Sequence, residues 1–123
     1  MGSETDEQRG DDTGCARGDA ALARAFNLLG QRWTGVILGN LSGGPAGFRE
    51  LARACDGISD SVLSTRLGTL TGAGLITRTV EEGPPLAVSY ALTEAGHALM
   101  PALAQISHWA HDYLPALASA ASD

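Results

Sequence analysis

The sequence contains no lysine, only two cysteines and few aromatic residues, at 5% of the chain. All eight basic residues are therefore arginines, and against 14 acidic residues they leave a formal net charge of −6. Two cysteines, Cys15 and Cys55, do not make the disulfide framework of a small secreted domain. No apolar run is long enough to span a membrane, and no basic start precedes an apolar run as in a signal peptide. These absences predict a cytoplasmic protein with no membrane partner.

The charge is distributed unevenly along the chain. Residues 1–19 carry a net charge of −4 and residues 81–123 carry −5, whereas residues 20–80 carry +3. Attraction to a polyanion depends on the local field of the contacting surface more than on the overall charge. The central segment is therefore the part of the chain suited to nucleic acid.

Residues 47–78 have the pattern of two helices joined by a tight turn. From Phe48 to Cys55, apolar residues recur at i, i+3, i+4 and i+7, as on one side of a helix. Asp56-Gly57 breaks this period, and Ser59 is a good N-cap for a second helix over residues 59–72. That helix has a leucine stripe opposite small polar residues, which predicts the recognition helix of a helix-turn-helix. The stripe consists of Leu63, Leu67 and Leu70.

The N-terminal part of the chain is predicted to be a tail followed by two helices. Residues 1–19 are expected to form a disordered acidic tail, because they lack apolar residues that would offset the entropy of ordering. A first helix is expected to start at Asp19 or Ala20. A second helix is expected to bury a stripe made of Trp33, Val36, Ile37 and Leu41.

The C-terminal half is predicted to form a hairpin and a long helix. Two β-type segments, residues 75–80 and 87–92, flank a tip at residues 81–86 and predict a wing. Thr93 is the expected N-cap of a last helix, which Pro101 should kink or split. Beyond this proline an apolar stripe continues to the end of the helix, and residues 114–123 are left as a tail. The stripe consists of Leu103, Ile106, Ala110 and Tyr113, with Trp109 beside it.

The expected fold class is mainly α with a small β-hairpin wing, a winged helix-turn-helix spanning residues 20–113. A winged helix of this size needs only about three helices and a hairpin for its core. The first and last helices exceed that need, so they are expected to bury their apolar sides on a second copy of the chain. Such a homodimer would match the two half-sites of an operator.

Several motifs occur in a fixed order over residues 15–113 and resemble the HxlR-type family of bacterial transcriptional regulators, relatives of the MarR winged-helix group. The stretches that carry the resemblance are LLGQRWTGVILGNL, FRELARACDGISDSVLSTRLGTLTGAGLITRTV and YALTEAGHAL. The resemblance implies a homodimeric DNA-binding repressor or activator. It also implies a cysteine just before the first helix, which in some members senses electrophiles or oxidants, and Cys15 occupies that place.

The sequence departs from the family at positions that face DNA. Gly47 stands where members usually have a basic residue before the Phe, and Leu86 stands where the wing usually has an Arg. The recognition helix offers Asp60 and short side chains instead of amide or basic ones, and Glu81 and Glu82 lie in the wing. Each lost phosphate contact removes roughly 0.9 from the slope of log affinity against log salt. A weak or salt-sensitive DNA binder is therefore expected.

Eight residues are predicted to contact DNA. Arg suits phosphates and guanine, and short hydroxyls contact phosphates or either base type. The alternative is that the arginines form ion pairs with Glu50, Asp56 or Asp60 on a solvated surface. The predicted contacts are Arg49, Arg53, Ser59, Ser61, Ser64, Thr65, Arg66 and Arg78.

The sequence alone leaves the roles of two further sites undecided. Cys15 is either a redox sensor favoured by Arg17 or a spectator thiol among acidic neighbours, whereas Cys55 lies on an apolar stripe and is expected to be buried and inert. Four aromatic residues are core or dimer contacts, or they line a cavity for a small-molecule effector. They are Phe26, Trp33, Trp109 and Tyr113.

Catalytic and metal chemistry lack the residues they need. No nucleophile, base and orienting group are spaced as a catalytic set, and no phosphate-binding loop is present. His108 and His111 have no visible third ligand, so no metal or other cofactor is predicted. Two functions remain: a dimeric DNA-binding regulator, controlled by a ligand or by Cys15, or a winged-helix dimer that has lost most DNA affinity and binds small molecules or proteins.

Overall fold

A computed structural model of the chain describes residues 14–114, with side chains from residue 19 onward. The chain divides into two units, residues 1–34 and 35–123. In the first unit, α1 spans Gly14–Leu29. The helix therefore begins before the predicted start at Asp19 or Ala20, in keeping with the helix-forming residues Ala16 and Arg17. The predicted tail at 1–13 lies outside the described residues.

The second unit contains the predicted helix-turn-helix and wing. Helix α2 spans Thr34–Leu41, α3 spans Phe48–Ala54 and α4 spans Asp60–Gly72. Strands β2 and β3 span Ile76–Glu81 and Ala87–Leu92, and α5 spans Glu94–Tyr113. A short strand β1, Ala46–Gly47, pairs antiparallel with β3, so that the sheet order is β1-β3-β2. The mainly helical winged-helix fold class is confirmed; β1 was not predicted.

The core of the second unit lies between the helices and one side of the sheet. Leu51 and Cys55 of α3 are buried, as is the predicted leucine stripe of α4. Tyr90 and Leu92 alternate toward the same core from β3. The buried leucines of α4 are Leu63, Leu67 and Leu70.

Two sequence expectations about the helices differ in part from the structure. Trp33 precedes α2 in a left-handed conformation, with φ of +78°, and therefore does not set the helical phase. The buried residues of α2 are Ile37, Leu38 and Leu41, whereas Val36 is exposed. Pro101 does not split α5, which runs through it as one helix of 20 residues. One missing backbone donor is tolerated here because the rest of this long helix continues on both sides.

A compact junction joins α4, the wing and α5. Helix α4 ends with Gly74 at φ of +81°, and the Leu75 N–H donates to the Leu70 carbonyl at 3.0 Å. The Thr93 hydroxyl caps α5 by accepting from the Gly96 N–H at 3.1 Å, and it donates to the Gly74 carbonyl at 2.6 Å. The N-cap predicted at Thr93 is thus present, and together with the Gly74 turn it fixes the hairpin relative to α4.

Candidate nucleic-acid interface

The predicted recognition helix α4 is oriented by the turn before it. Gly57 has φ of +95°, a conformation that favours glycine, and the Ile58 N–H donates to the Cys55 carbonyl at 2.9 Å. The Ser59 hydroxyl then accepts from the Val62 N–H at 3.2 Å, as an N-cap does. These local contacts start α4 directly after the turn, as in a helix-turn-helix.

One side of α4 is buried and the other is small, polar and exposed. The leucine stripe packs inside the chain, so the large apolar side chains of the helix are already covered. Without long side chains on the outer side, the helix backbone can approach the floor of a major groove closely. The exposed residues are Ser59, Asp60, Ser61, Ser64, Thr65 and Gly68.

The hydroxyl groups on α4 differ in what they still offer to a ligand. Thr65 Oγ1 donates to the Ser61 carbonyl at 2.9 Å, so its proton is used and its oxygen remains an acceptor. Ser59 accepts from the backbone and its Oγ lies 3.4 Å from Ser61 Oγ. Within the described residues, Ser64 makes no side-chain hydrogen bond, so it has both donor and acceptor available.

Two predicted arginines lie on α3, and one of them is paired. Arg49 Nη2 donates to Asp60 Oδ2 at 2.8 Å, joining the start of α3 to the start of α4. This is one of the ion pairs that the sequence left open as an alternative to DNA contact. Arg53, in the last turn of α3, is exposed and forms no ion pair within the described part of the chain.

Of the other two predicted arginines, one lies on α4 and one on the wing strand β2. Arg66 lies on α4, is half-buried and has an interaction partner in the folded chain. Arg78 is exposed on β2, opposite Tyr90 of β3. It borders a groove of about 450 Å³ between the second half of α4 and the sheet. Gly68 and Gly72 line the α4 side of this groove and leave it open.

The wing extends beyond this groove as a two-stranded hairpin. Its first strand ends at Glu81, which pairs with Ala87, so the tip comprises residues 82–86, one residue shorter than the predicted 81–86. Glu81, Glu82 and Leu86 are exposed there. The wing therefore presents negative and apolar groups where a phosphate contact would need a cation or a neutral donor.

A family model described as HxlR-like helix-turn-helix matches residues 28–118, which include α2, the helix-turn-helix, the wing and α5. The chain belongs to the HxlR-like helix-turn-helix family. Together with its relatives, this membership makes the chain a helix-turn-helix transcriptional regulator of the HxlR type.

Two relatives of this HxlR-like chain are regulators of Bacillus subtilis. The uncharacterised HTH-type transcriptional regulator YvaP is 36% identical over 91 residues, which cover 74% of this chain and 84% of YvaP. The HTH-type transcriptional regulator YodB is 37% identical over 92 residues, covering 75% of this chain and 82% of YodB.

Solved structures share the fold. The reduced form of YodB superposes with a TM-score of 0.71 at 33% identity, over 83% of this chain and 96% of that one. The redox regulator HypR in its reduced form gives 0.74 at 28% identity, over 80% and 98%. YodB has also been solved after diamide treatment and bound to quinone, and HypR in an oxidised form.

The four predicted pocket aromatics of this HxlR-like chain belong to two units, Phe26 and Trp33 to the first and Trp109 and Tyr113 to the second. Phe26 is exposed on α1, and Trp33 lies half-buried under the Arg32 guanidinium, with 4.7 Å from Cζ to the ring centroid. Trp109 and Tyr113 are neighbours on α5, with ring centroids 6.3 Å apart, and both are exposed. Only this last pair is brought together within one unit.

A different groove, of about 520 Å³, lies between α2 and α5. On α2 it follows Gly35 and Gly39, where an added Cβ would meet nothing within 4 Å. The sequence does not predict this groove, because glycines in a short helix indicate weak helix formation rather than the floor of a groove. The remaining lining residues are Ser42, Met100, Leu103, Ala104, Ile106 and Ser107.

The two cysteines of this HxlR-like chain are placed differently. Cys15 belongs to the first turn of α1, so the expectation that it lies in a tail before the helix was wrong for its backbone. Cys55 is a fully buried free thiol, and burial raises the pKa of that thiol. The expectation that Cys55 is buried is confirmed, and the raised pKa makes it a poor nucleophile.

The described residues contain neither a cluster of metal ligands nor a helix that could span a membrane. His111 Nδ1 lies 3.5 Å from Asp112 Oδ1, both exposed. Among the side chains that the structure describes, no three His, Cys, Asp or Glu residues are grouped as metal ligands. In the same part of the chain, every helix is too short or too polar to cross a bilayer.

Proposed function

We propose that the chain acts as a homodimer whose two α4 helices enter successive major grooves of an operator, with the wing at 81–86 beside the backbone. The observation that supports this is the two-sided character of α4. Its leucines are buried within its own chain, and the opposite side carries only short polar groups and is exposed. A helix whose apolar side is buried in its own chain, and whose other side presents small hydroxyl groups, suits a polar, close-fitting partner.

The predicted contacts take different roles in this arrangement. Ser61 and Ser64 donate to phosphates or base edges, and Thr65 accepts, because its proton is bonded to the helix backbone. Ser59 chiefly holds the helix start. The phosphate contacts come from Arg66 on α4 and from Arg53 and Arg78 on the neighbouring α3 and β2.

Dimer formation is supported by the apolar residues that remain uncovered on α5. Ile106, Trp109 and Tyr113 are 44%, 53% and 72% exposed in a single chain. In the first unit, Leu22 and Phe26 of α1 are likewise exposed. An exposed apolar stripe such as that of α5 marks a protein contact, and a two-fold dimer places two recognition helices on one duplex. The domain is proposed to span residues 20–113, extended by the first turns of α1.

The test is a titration of the protein against the DNA upstream of its own gene, followed by fluorescence anisotropy at several salt concentrations. Ser64→Glu adds one negative charge to the exposed side of α4. Asn40→Asp adds the same charge at an exposed position of α2 and is the matched control. We expect Ser64→Glu to abolish specific retention and Asn40→Asp to preserve it. Equal binding by both variants would contradict the proposed interface.

A second candidate is a winged-helix dimer that has lost most DNA affinity and binds a small molecule or a protein. It is favoured by the acidic wing tip, by Gly47, and by the pairing of Arg49 with Asp60. The same titration separates the two functions. Feeble binding to any duplex, unchanged by Ser64→Glu, supports this second candidate.

Control by oxidation of Cys15 is proposed as a separate step. HypR and YodB have been solved in reduced and in oxidised or diamide-treated forms. In this chain Cys15 lies in the first turn of α1, where a helix favours negative charge. We expect an oxidant to shift the DNA-binding midpoint of the wild type but not of Cys15→Ser. An unchanged midpoint in the wild type would retire thiol control.

A small-molecule effector would fit the groove between α2 and α5 better than the four aromatics taken together. The groove is mostly apolar and lies within one unit of the chain. Gly39→Leu would fill it, and we expect this variant to lose any ligand response while still folding, because nothing lies within 4 Å of an added Cβ. The protein would act in the cytoplasm, where its operator lies, and we assign it no catalytic activity.

A further inference from the structure

Arg49 and Asp60 form an exposed pair at the corner between α3 and α4. Arg49 Nη2 lies 2.8 Å from Asp60 Oδ2, and the side chains are 64% and 67% exposed. The guanidinium also lies over the Phe48 ring, with 5.0 Å from Cζ to the centroid. The guanidinium is therefore positioned by two neighbours while both polar groups stay open to a partner outside the chain.

Asp60 is the first residue of the recognition helix, after the Ser59 cap. The N-terminal residues of recognition helices are those that contact base edges. An isolated carboxylate there would be repelled by the phosphates, but the pair with Arg49 carries no net charge. Arg49 thus removes the electrostatic reason for excluding Asp60 from the groove.

The pair combines an acceptor and several donors in adjacent positions. Asp60 uses Oδ2 for Arg49 and retains Oδ1 as an acceptor, and Arg49 uses one of its five N–H donors. In the major groove, cytosine offers its N4 amine as a donor and guanine offers O6 and N7 as acceptors. An Asp–Arg pair therefore complements both halves of a G·C base pair.

We propose that Arg49 and Asp60 together select one G·C base pair in each half-site. Asp60 accepts from the cytosine N4 amine, and Arg49 donates to the guanine O6 of the same pair. This assignment rests on the proposed entry of α4 into the major groove. It makes the departure of Asp60 from the basic and amide residues of the family a determinant of sequence choice.

The test is selection of binding sites from a randomised duplex pool by the wild type and by Asp60→Asn. Asparagine pairs with adenine through both the oxygen and the NH2 of its side-chain amide. We expect wild-type sites to contain one fixed G·C pair per half-site. In Asp60→Asn the preference at that position should fall by about 5-fold or more, or move to A·T. Arg49→Ala should weaken the base preference at the same position. Adding Asp60→Asn to that variant should change the preference little further.

Asp56→Asn is the matched control, because it removes one exposed carboxylate from the preceding turn. Asp56 forms no ion pair within the described part of the chain, and its loss should leave the base preferences unchanged. A rise in affinity of Asp60→Asn for all sequences, with unchanged preferences, would show a mere counter-charge and overturn the inference. If the wild type enriches no sequence at all, the proposed function itself fails and this inference fails with it.

Discussion

Helices α4 and α5 are both amphipathic, but only α4 completes its packing within one chain. Leu63, Leu67 and Leu70 of α4 are all buried, whereas in α5 the only fully buried residue is Gly96. Beyond Pro101 the large apolar side chains of Ile106, Trp109 and Tyr113 remain exposed, with Tyr113 at 72%. A surface of short hydroxyl groups calls for a polar partner, and a surface of uncovered aromatics calls for another protein surface.

The difference also separates stability from assembly. A substitution on the buried side of α4 should lower the stability of each protomer, because it leaves a cavity in a core that is already closed. A substitution on the exposed side of α5 should weaken assembly while the protomer stays folded. The predictions below test this division, beginning with the largest expected effect.

Leu63→Ala is expected to lower the free energy of unfolding by about 2–5 kcal/mol, the range for truncating a fully buried leucine. Urea denaturation at one fixed protein concentration measures it, because a dimer's apparent stability depends on concentration. Ser64→Ala changes the next residue on the exposed side and should shift the value by no more than about 0.5 kcal/mol. Similar losses in both variants would remove the distinction between the two sides of α4.

The structure of α4 could be predicted because its determinants are local. The Ser59 cap, the leucine stripe and Gly74 at φ of +81° all lie within a few residues of the helix that they define. The phase of α2 was not predictable in the same way. Its apolar pattern includes Trp33, and only the backbone shows that this residue has positive φ and lies outside the helix.

Trp109→Glu is expected to raise the dissociation constant of the dimer by about 30-fold or more. Loss of a central aromatic from an interface costs about 2 kcal/mol or more, and a carboxylate there has no partner. Sedimentation velocity over a series of concentrations measures the change. Gln105→Glu introduces the same charge at another exposed position of α5 and should have less effect. A wild type that stays monomeric throughout would contradict the assignment of α5 to dimer formation.

Gly96→Ala and Gly68→Ala should change stability in opposite directions. At Gly96, an added Cβ would overlap the Leu75 carbonyl oxygen and lie 3.0 Å from Leu92 Cδ2, so α5 would have to move. We expect a loss of about 1–3 kcal/mol. At Gly68, nothing lies within 4 Å, and alanine should stabilise α4 by about 0.5–1 kcal/mol. Paired thermal or urea denaturation measures both, and a loss at Gly68 would reveal packing on the side of α4 assigned to DNA.

Contacts between distant residues account for most of what the sequence left undetermined. Strand β1 has two residues and no periodicity of its own, and it exists because Ala46 and Gly47 pair with Tyr90 and Ser89. The Arg49–Asp60 pair joins residues on different helices. The sequence supplied the arginines and acidic residues of the site but not which of them would pair.

The N-caps of the same two helices should differ in how much they stabilise the chain. Ser59→Ala should cost about 1 kcal/mol, since the Val62 N–H loses its acceptor at 3.2 Å but is near solvent. Thr93→Ala should cost more, because Thr93 both caps Gly96 and donates to the Gly74 carbonyl at 2.6 Å. Ser59→Asp, which keeps a good capping group, is the control and should restore most of the loss in urea denaturation. Equal losses in Ser59→Ala and Thr93→Ala would mean that the bond to Gly74 does not help to hold α5 against the end of α4.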